Sequence, residues 1–215
     1  SKGVTTSAFA YDLKRGFRSF LTCDPEALEA LVVWAQLSPN EMKDMLSWTG
    51  AHVGNVRMDY RGDTVISRAL RNPTVRGCPA CLREDAAKAP SGPTSSMAMR
   101  GNWQLRDVSI CVRHCMLLAP LWTEDRPERR FDMQRQLRPI LGRIMSGEID
   151  GASVEPSDFD LWLDGRLSER PDRTWLAPHG MSATSAFCRM LGAGLISADA
   201  TPISRQPAVC AAGFD

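Results

Sequence analysis

Apolar residues recur at helical spacing in several stretches of the chain. Phe9, Leu13, Phe17 and Phe20 stand one turn apart and predict one helix over 7–21. Asp24-Pro25-Glu26 then supplies an N-cap, a first-turn proline and a first-turn acid, and Leu28, Leu31, Val32 and Ala35 give the stripe of a helix over 25–36. Ser38 and Glu41 have the spacing of a capping box, with Met42, Met45 and Leu46 as the apolar face of a helix over 39–47. The last two helices and their short connection resemble a helix-turn-helix; an ordinary helical hairpin has the same pattern. Further on, Pro156-Ser157-Asp158 opens a helix over 157–167 carrying Phe159, Trp162 and Leu163. Ala183, Ala186, Phe187, Met190 and Leu191 predict another over 181–191, ending near Gly192 and Gly194. Phe131, Leu137, Ile140, Leu141 and Ile144 fit a helix that Pro139 should kink or split.

The intervening segments read differently. Residues 48–77 have no clear period and contain Gly50, Gly54, Gly62 and Pro73, which predicts loops with at most short elements. Residues 89–93 read as a flexible surface loop. Trp103, Leu105, Val108 and Ile110 predict a short strand leading into Cys111. There is no internal repeat, and 201–215 should lie loosely on the surface.

With 215 residues, 43% hydrophobic and 24% charged, the composition is that of an ordinary globular protein. A formal net charge of +1 points to no class of partner. No apolar run approaches the roughly 20 residues that span a bilayer, so no membrane role is expected. Ser1-Lys2-Gly3-Val4 lacks the charged-then-apolar order of a signal and reads as a processed or trimmed end. The expected compartment is the cytoplasm.

The seven cysteines change the picture. An odd number cannot all pair, and their uneven clustering is unlike a secreted disulfide framework. Cys78-Pro79-Ala80-Cys81 is a CxxC turn and Cys111-Val112-Arg113-His114 a CxxH turn. Two intervening residues let a tight turn aim both ligands at one ion, and two such turns complete a tetrahedron. Thiolate and imidazole donors favour zinc over magnesium or calcium. Cys115, next to His114, could also close the site; the two-residue gap favours His114. Four protein ligands leave no open position, so the expected cofactor is one structural zinc rather than a catalytic one. His52 and His179 stand apart and read as ordinary surface or core histidines. There is no phosphate-cradling glycine loop, paired-carboxylate motif or nucleophile elbow. The chain is therefore expected not to be an enzyme.

The predicted fold class is mainly α. A helical, helix-turn-helix-like region spans 1–76 and a zinc-binding module with short strands spans 77–122. A helical region follows over 123–200, with a loosely ordered tail over 201–215. Arginines outnumber acids locally, from Arg57 to Arg83 and from Arg100 to Arg143. Arginine suits bidentate phosphate contacts, so Arg100, Arg106 and Arg113, flanking the second ligand turn, are candidates for contact with duplex DNA.

The stretch from Arg76-Gly77-Cys78-Pro79-Ala80-Cys81-Leu82-Arg83-Glu84-Asp85 is similar to the zinc motif of the TniQ family. So is the run from Arg100 through Trp103 and Leu105 to Ile110-Cys111-Val112-Arg113-His114 and Leu117-Leu118. The helices opening at Asp24 and Ser38, and the segments 158–163 and 187–192, also resemble it, so the likeness spans roughly residues 5–195. The resemblance implies a transposition accessory protein that helps choose the insertion site. Such proteins bind attachment-site DNA, or bridge a DNA-recognition complex to a AAA+ ATPase that recruits the transposase. They are not the recombining enzyme. The zinc ligands carry over to Cys78, Cys81, Cys111 and His114. Many members have a second cysteine pair where Ala119-Pro120-Leu121-Trp122 stands here, so a second zinc is not expected. The alternative function is a zinc-stabilised protein-interaction scaffold or regulator without direct DNA contact.

Overall fold

A computed structural model describes residues 5–89, 92–198, 210–211 and 213–214. In chain order it begins with α1 (Thr6–Asp12), α2 (Phe17–Leu21), α3 (Pro25–Ala35) and α4 (Pro39–Ser47). Strands β1 (Ala51–His52), β2 (Arg57–Tyr60), β3 (Asp63–Ile66) and β4 (Thr74–Gly77) follow, then helices α5 (Pro79–Ala87) and α6 (Pro93–Ser96). Next come β5 (Ile110–Cys111), β6 (Met116–Leu117) and β7 (Ala119–Thr123). The chain continues with α7 (Pro127–Arg130), α8 (Met133–Ser146), α9 (Asp158–Leu167) and α10 (Met181–Ala198). The fold is mainly α with short strands and contains a Cys/His cluster. No helix among the described residues is long and apolar enough to cross a membrane.

Two compact units are interleaved in sequence. The first comprises 1–46, 73–100 and 119–151; the second comprises 47–72, 101–118 and 152–215.

In the first unit, β4 and β7 form an antiparallel pair, and α1, α5 and α6 each pack on α8. Buried Asp132, just before α8, accepts the Thr6 N–H at 3.0 Å and the Ser7 hydroxyl at 2.8 Å, which fastens the start of α1. The predicted single helix over 7–21 is two helices. Lys14 takes a left-handed φ of 56° and Gly16 is the extended N-cap of α2. Glycine is a poor interior helix former, so the apolar period continues while the backbone breaks. Asp24 and the Ser38–Glu41 box cap α3 and α4 as their spacing predicts, and Gln36 ends α3 at φ 52°. Helix α8 runs unbroken through Pro139. Pro139 and Arg135 are both exposed, so the proline sits on the solvent side of the helix, where losing one backbone hydrogen bond costs least.

In the second unit, β1–β2–β3 form an antiparallel sheet. The sequence predicted loops with at most short elements here. The strands are too short for a clear period, although β2 does alternate, with Met58 and Tyr60 buried. Tyr60 donates to the Gly101 carbonyl at 2.7 Å, and its burial pushes the phenol pKa up. Trp48 lies so close to Gly101 that a Cβ there would come within 2.3 Å of the indole. That region, 101–104, is a 3₁₀ turn rather than the predicted strand; only Ile110–Cys111 is extended. Trp103 and Leu105 are buried through a turn, so their spacing mimicked a strand.

Helix α9 carries a complete capping box between Ser157 and Asp160. Arg166 near its end pairs with Asp63 at 2.7 Å and Asp172 at 2.9 Å, and donates to the carbonyls of Ala177 and His179. Asp172 is partly buried, which raises its pKa. Donors on Thr174, Arg166 and Trp162 outweigh this and bring it to about 2. Asp63 also accepts the Met181 N–H at 3.0 Å, starting α10. That helix continues past Gly192 and Gly194 to Ala198 instead of ending there. A glycine costs only about 1 kcal/mol inside a helix and needs other support to stop one. Most of the expected tail, 201–209 with 212 and 215, lies outside the described residues, as do Pro90 and Ser91 of the expected loop. Of the tail's described residues, Cys210 is buried and Phe214 packs on Phe159 and Trp162.

Candidate metal centre

The first ligand turn is built by a helix start. Cys78 is the N-cap of α5, Pro79 occupies the first turn without needing a donor, and Cys81 falls three residues into the same turn. Both thiols therefore sit where unpaired backbone N–H groups and the helix dipole favour thiolate. Cys78 and Cys81 are buried.

The helix behind this turn is held by charge. Asp85 is buried and pairs with Arg100 at 2.7 Å and Lys88 at 3.0 Å, while accepting the Ala98 N–H at 3.2 Å. Burial alone would raise its pKa. The hydrogen bonds from Arg100, Lys88 and Ala98 prevail and hold the carboxyl well below the usual carboxylate range. Arg83 grips Asp150 with two 2.7 Å bonds and donates to the Ile144 carbonyl at 2.8 Å.

The second turn is a hairpin. β5 pairs with β6, and the His114 N–H bonds the Cys111 carbonyl at 3.2 Å. Cys115 takes φ 48° and lets the chain enter β6. Its thiol is exposed and directed at the Val112 carbonyl, 3.6 Å away. Backbone bonds from Leu118 to Ser109, Leu117 to Ala152 and Val154 to Cys115 hold the hairpin.

Cys78, Cys81, Cys111 and His114 lie close enough to hold one metal ion, with all four donor atoms within 4.8 Å of one another. The three cysteines are buried and His114 is partly buried. In a zinc tetrahedron, bonds of about 2.3 Å to sulfur and about 2.0 Å to nitrogen give S···N edges of about 3.5 Å and S···S edges of about 3.8 Å. Cys111 Sγ and His114 Nδ1 stand 3.5 Å apart. The donor set and that edge fit such an ion.

The candidate phosphate contacts differ among themselves. Arg106 and Arg113 are exposed, whereas Arg100 is only partly exposed and binds Asp85. Much of the arginine excess is likewise engaged. Arg61 stacks 4.3 Å from the Trp48 ring, pairs with Glu169 and bonds the Leu167 carbonyl. Arg143 pairs with Glu148. Of the two remaining histidines, His52 lies 3.0 Å from Arg71, and His179 has its ring against Trp175. Pairings such as Arg83–Asp150 and Arg166–Asp63 cross long sequence gaps, and no local pattern announces them.

Fold and cluster define a mainly helical protein with a Cys3His constellation close enough to hold one metal ion. Residues 1–118 match the family model TniQ, which covers more than half of the chain. The chain belongs to the TniQ family, a transposition accessory family that is generally non-catalytic. No curated protein and no solved structure matches it.

Proposed function

We propose that the protein is a non-enzymatic adaptor for transposon targeting. One zinc ion, bound by Cys78, Cys81, Cys111 and His114, stabilises its central module. The carrying observation is the coincidence of the family match over 1–118 with the four-donor cluster inside it. Zinc at this site would supply a fixed cross-link between the two turns, with no open position for substrate. The chain acts in the cytoplasm, on duplex DNA and on the AAA+ ATPase of a transposition system or on a DNA-recognition complex. Arg106 and Arg113 contact phosphates. Arg100 is a weaker candidate because it is only partly exposed. Helices α3 and α4 form a helix-turn-helix whose second helix offers exposed Asn40 and Lys43.

Duplex binding across a salt series, alongside elemental analysis, tests this. About one zinc per chain is expected, with affinity falling steeply from low to physiological salt. Replacing Arg106 and Arg113 by Ala should weaken all sequences alike and flatten the salt slope by roughly 2. Absence of zinc would remove the cofactor assignment. Absence of duplex binding at low salt would remove the DNA contact. A second reading, a zinc-stabilised protein-interaction scaffold without DNA contact, is favoured by the arginines committed to ion pairs at Arg61, Arg83, Arg100 and Arg166.

A further inference from the structure

The turn between α9 and α10 is held by Asp172. Its carboxylate accepts the Thr174 N–H at 2.9 Å, the Thr174 hydroxyl at 2.7 Å and the Trp162 indole N–H at 2.8 Å. The Thr174 oxygen in turn accepts the Leu176 N–H at 3.2 Å. These bonds fix the backbone on both sides of Trp175, yet its side chain is 68% exposed. A large aromatic side chain held in solvent on a fixed turn marks a contact surface. Trp175, Leu176, His179, Ala183, Thr184 and Phe187 line an open pocket of about 260 Å³. Small-ligand sites run to roughly 300–1,000 Å³, so this one suits one or two side chains better than a cofactor. Its walls are rings. Trp175 stands at 89° to Phe187 and at 74° to His179, with centroids 6.3 Å away in each case. Leu176 and Thr184, 3% and 2% exposed, form the floor.

Hydrogen bonding around the pocket is one-sided. The Thr174, Leu176 and Gly180 carbonyls accept from the N–H groups of Ala177, His179 and Ala183, and Arg166 takes up the carbonyls of Ala177 and His179. The Trp175 indole N–H and the Thr184 hydroxyl have no partner among the described residues. Donors are therefore spare and acceptors few, and no Asp, Glu, Lys or Arg is among the described lining residues. We propose that this pocket binds a proline-rich segment of a partner protein in the polyproline II conformation, a prolyl ring seated between Trp175 and Phe187 and the Trp175 N–H donating to a peptide carbonyl. Such a segment is the complement of the site. Proline has no N–H to leave unsatisfied, the extended helix has no internal hydrogen bonds, and its carbonyls are free to accept. Its stiffness lowers the entropy lost on docking against aromatic walls. A methylated ammonium group fits less well, because the lining has no carboxylate. An unstacked nucleobase fits less well too, because the lining has no cation for its phosphate. Zinc and duplex phosphates play no part in this contact.

Titration of the full metal-loaded chain with acetylated, amidated decaproline, followed by amide NMR shifts and calorimetry, tests this. Saturable binding with Kd below about 1 mM is expected, the weak end of specific affinity, with the shifts centred on 174–187. A Gly-Ser peptide of equal length should bind at least about 10-fold more weakly, since it has no rings and must be ordered. Kd should change by less than about 2-fold between about 50 and 500 mM salt, because no charge lines the pocket. Trp175→Phe keeps a ring, removes the donor and should weaken binding by about 5-fold. Trp175→Ala and Phe187→Ala should each weaken it by about 10-fold or more. Both side chains are at least half exposed, so an unchanged thermal midpoint is expected in each variant. No binding up to about 5 mM decaproline overturns the proposal. Binding that survives Trp175→Ala overturns it, as does a Gly-Ser peptide that binds equally well. Shifts at 174–187 that follow protein concentration instead give the pocket to a second copy, and shifts caused by a thymidine oligonucleotide but not by decaproline give it to single-stranded DNA; either result overturns it.

Discussion

The two ligand turns present similar donors on different supports. Cys78 and Cys81 ride on the first turn of a nine-residue helix that is fastened from behind by Asp85, Arg100, Arg83 and Asp150. Cys111 and His114 sit on a hairpin whose strands are two residues long, held by backbone hydrogen bonds. A two-stranded hairpin this short is marginal alone. The helix turn is thus preorganised by tertiary ion pairs, and the hairpin turn depends more on whatever its side chains bind. A CxxC or CxxH spacing reports the ligands and not how firmly each is held.

The largest expected effect is metal removal. Chelation, or Cys78→Ser, should release the zinc and raise hydrogen exchange in 109–118 by about 100-fold or more, well beyond the rise in 79–87. Equal loosening of both segments would break the comparison. Next is Asp85→Asn, which leaves Arg100 and Lys88 without their carboxylate. A loss of about 2 kcal/mol is expected by denaturant unfolding, less than for a deeply buried pair because Arg100 is partly exposed. Zinc stoichiometry should not change.

The pH dependence of that difference sharpens the point. Asp85 has a folded-state pKa below its unfolded one. Its stabilisation is therefore complete above the ordinary carboxylate pKa and fades as pH falls through the folded value. The gap between wild type and Asp85→Asn should stay constant from pH 7 to about 5 and narrow below about 4. A gap that closes between pH 7 and 5 would mean another group is titrating. Arg83→Ala, removing the two bonds to Asp150, should cost about 1 kcal/mol at most, since both partners retain solvent contact. The smallest effect is expected for Cys115→Ser, with zinc content unchanged and stability within about 0.5 kcal/mol. Loss of zinc in that variant would show that the exposed thiol, not His114, closes the site.

Local chemistry made the ligand turns legible. Proline at 79 and the two-residue gaps are short-range signals, and they read the same in any fold that turns there. Caps at Asp24 and Ser38 were legible for the same reason: a side chain three residues from an amide needs no distant partner. Period alone was a poorer guide where the backbone changed under it. Phe9 to Phe20 keep one spacing across a break at Lys14, and Trp103 and Leu105 keep another through a 3₁₀ turn. The small sheet at 51–66 has too few residues per strand for the alternation of β2 to stand out as a period.

Sequence by itself picked out the four Cys and His residues that the fold gathers, several helix starts and the mainly helical class, because each depends on neighbours within a few residues. Tertiary structure alone decided which arginines are engaged. Arg83 finds Asp150, Arg166 finds Asp63 and Arg100 finds Asp85 across gaps of 67, 103 and 15 residues. It also decided that no described residue covers Phe187, Met190, Leu191 and Leu195 of α10, although such side chains would suit a core. Composition counts charges and apolar side chains. Their energy depends on what stands within a few ångströms, and only the folded chain sets that.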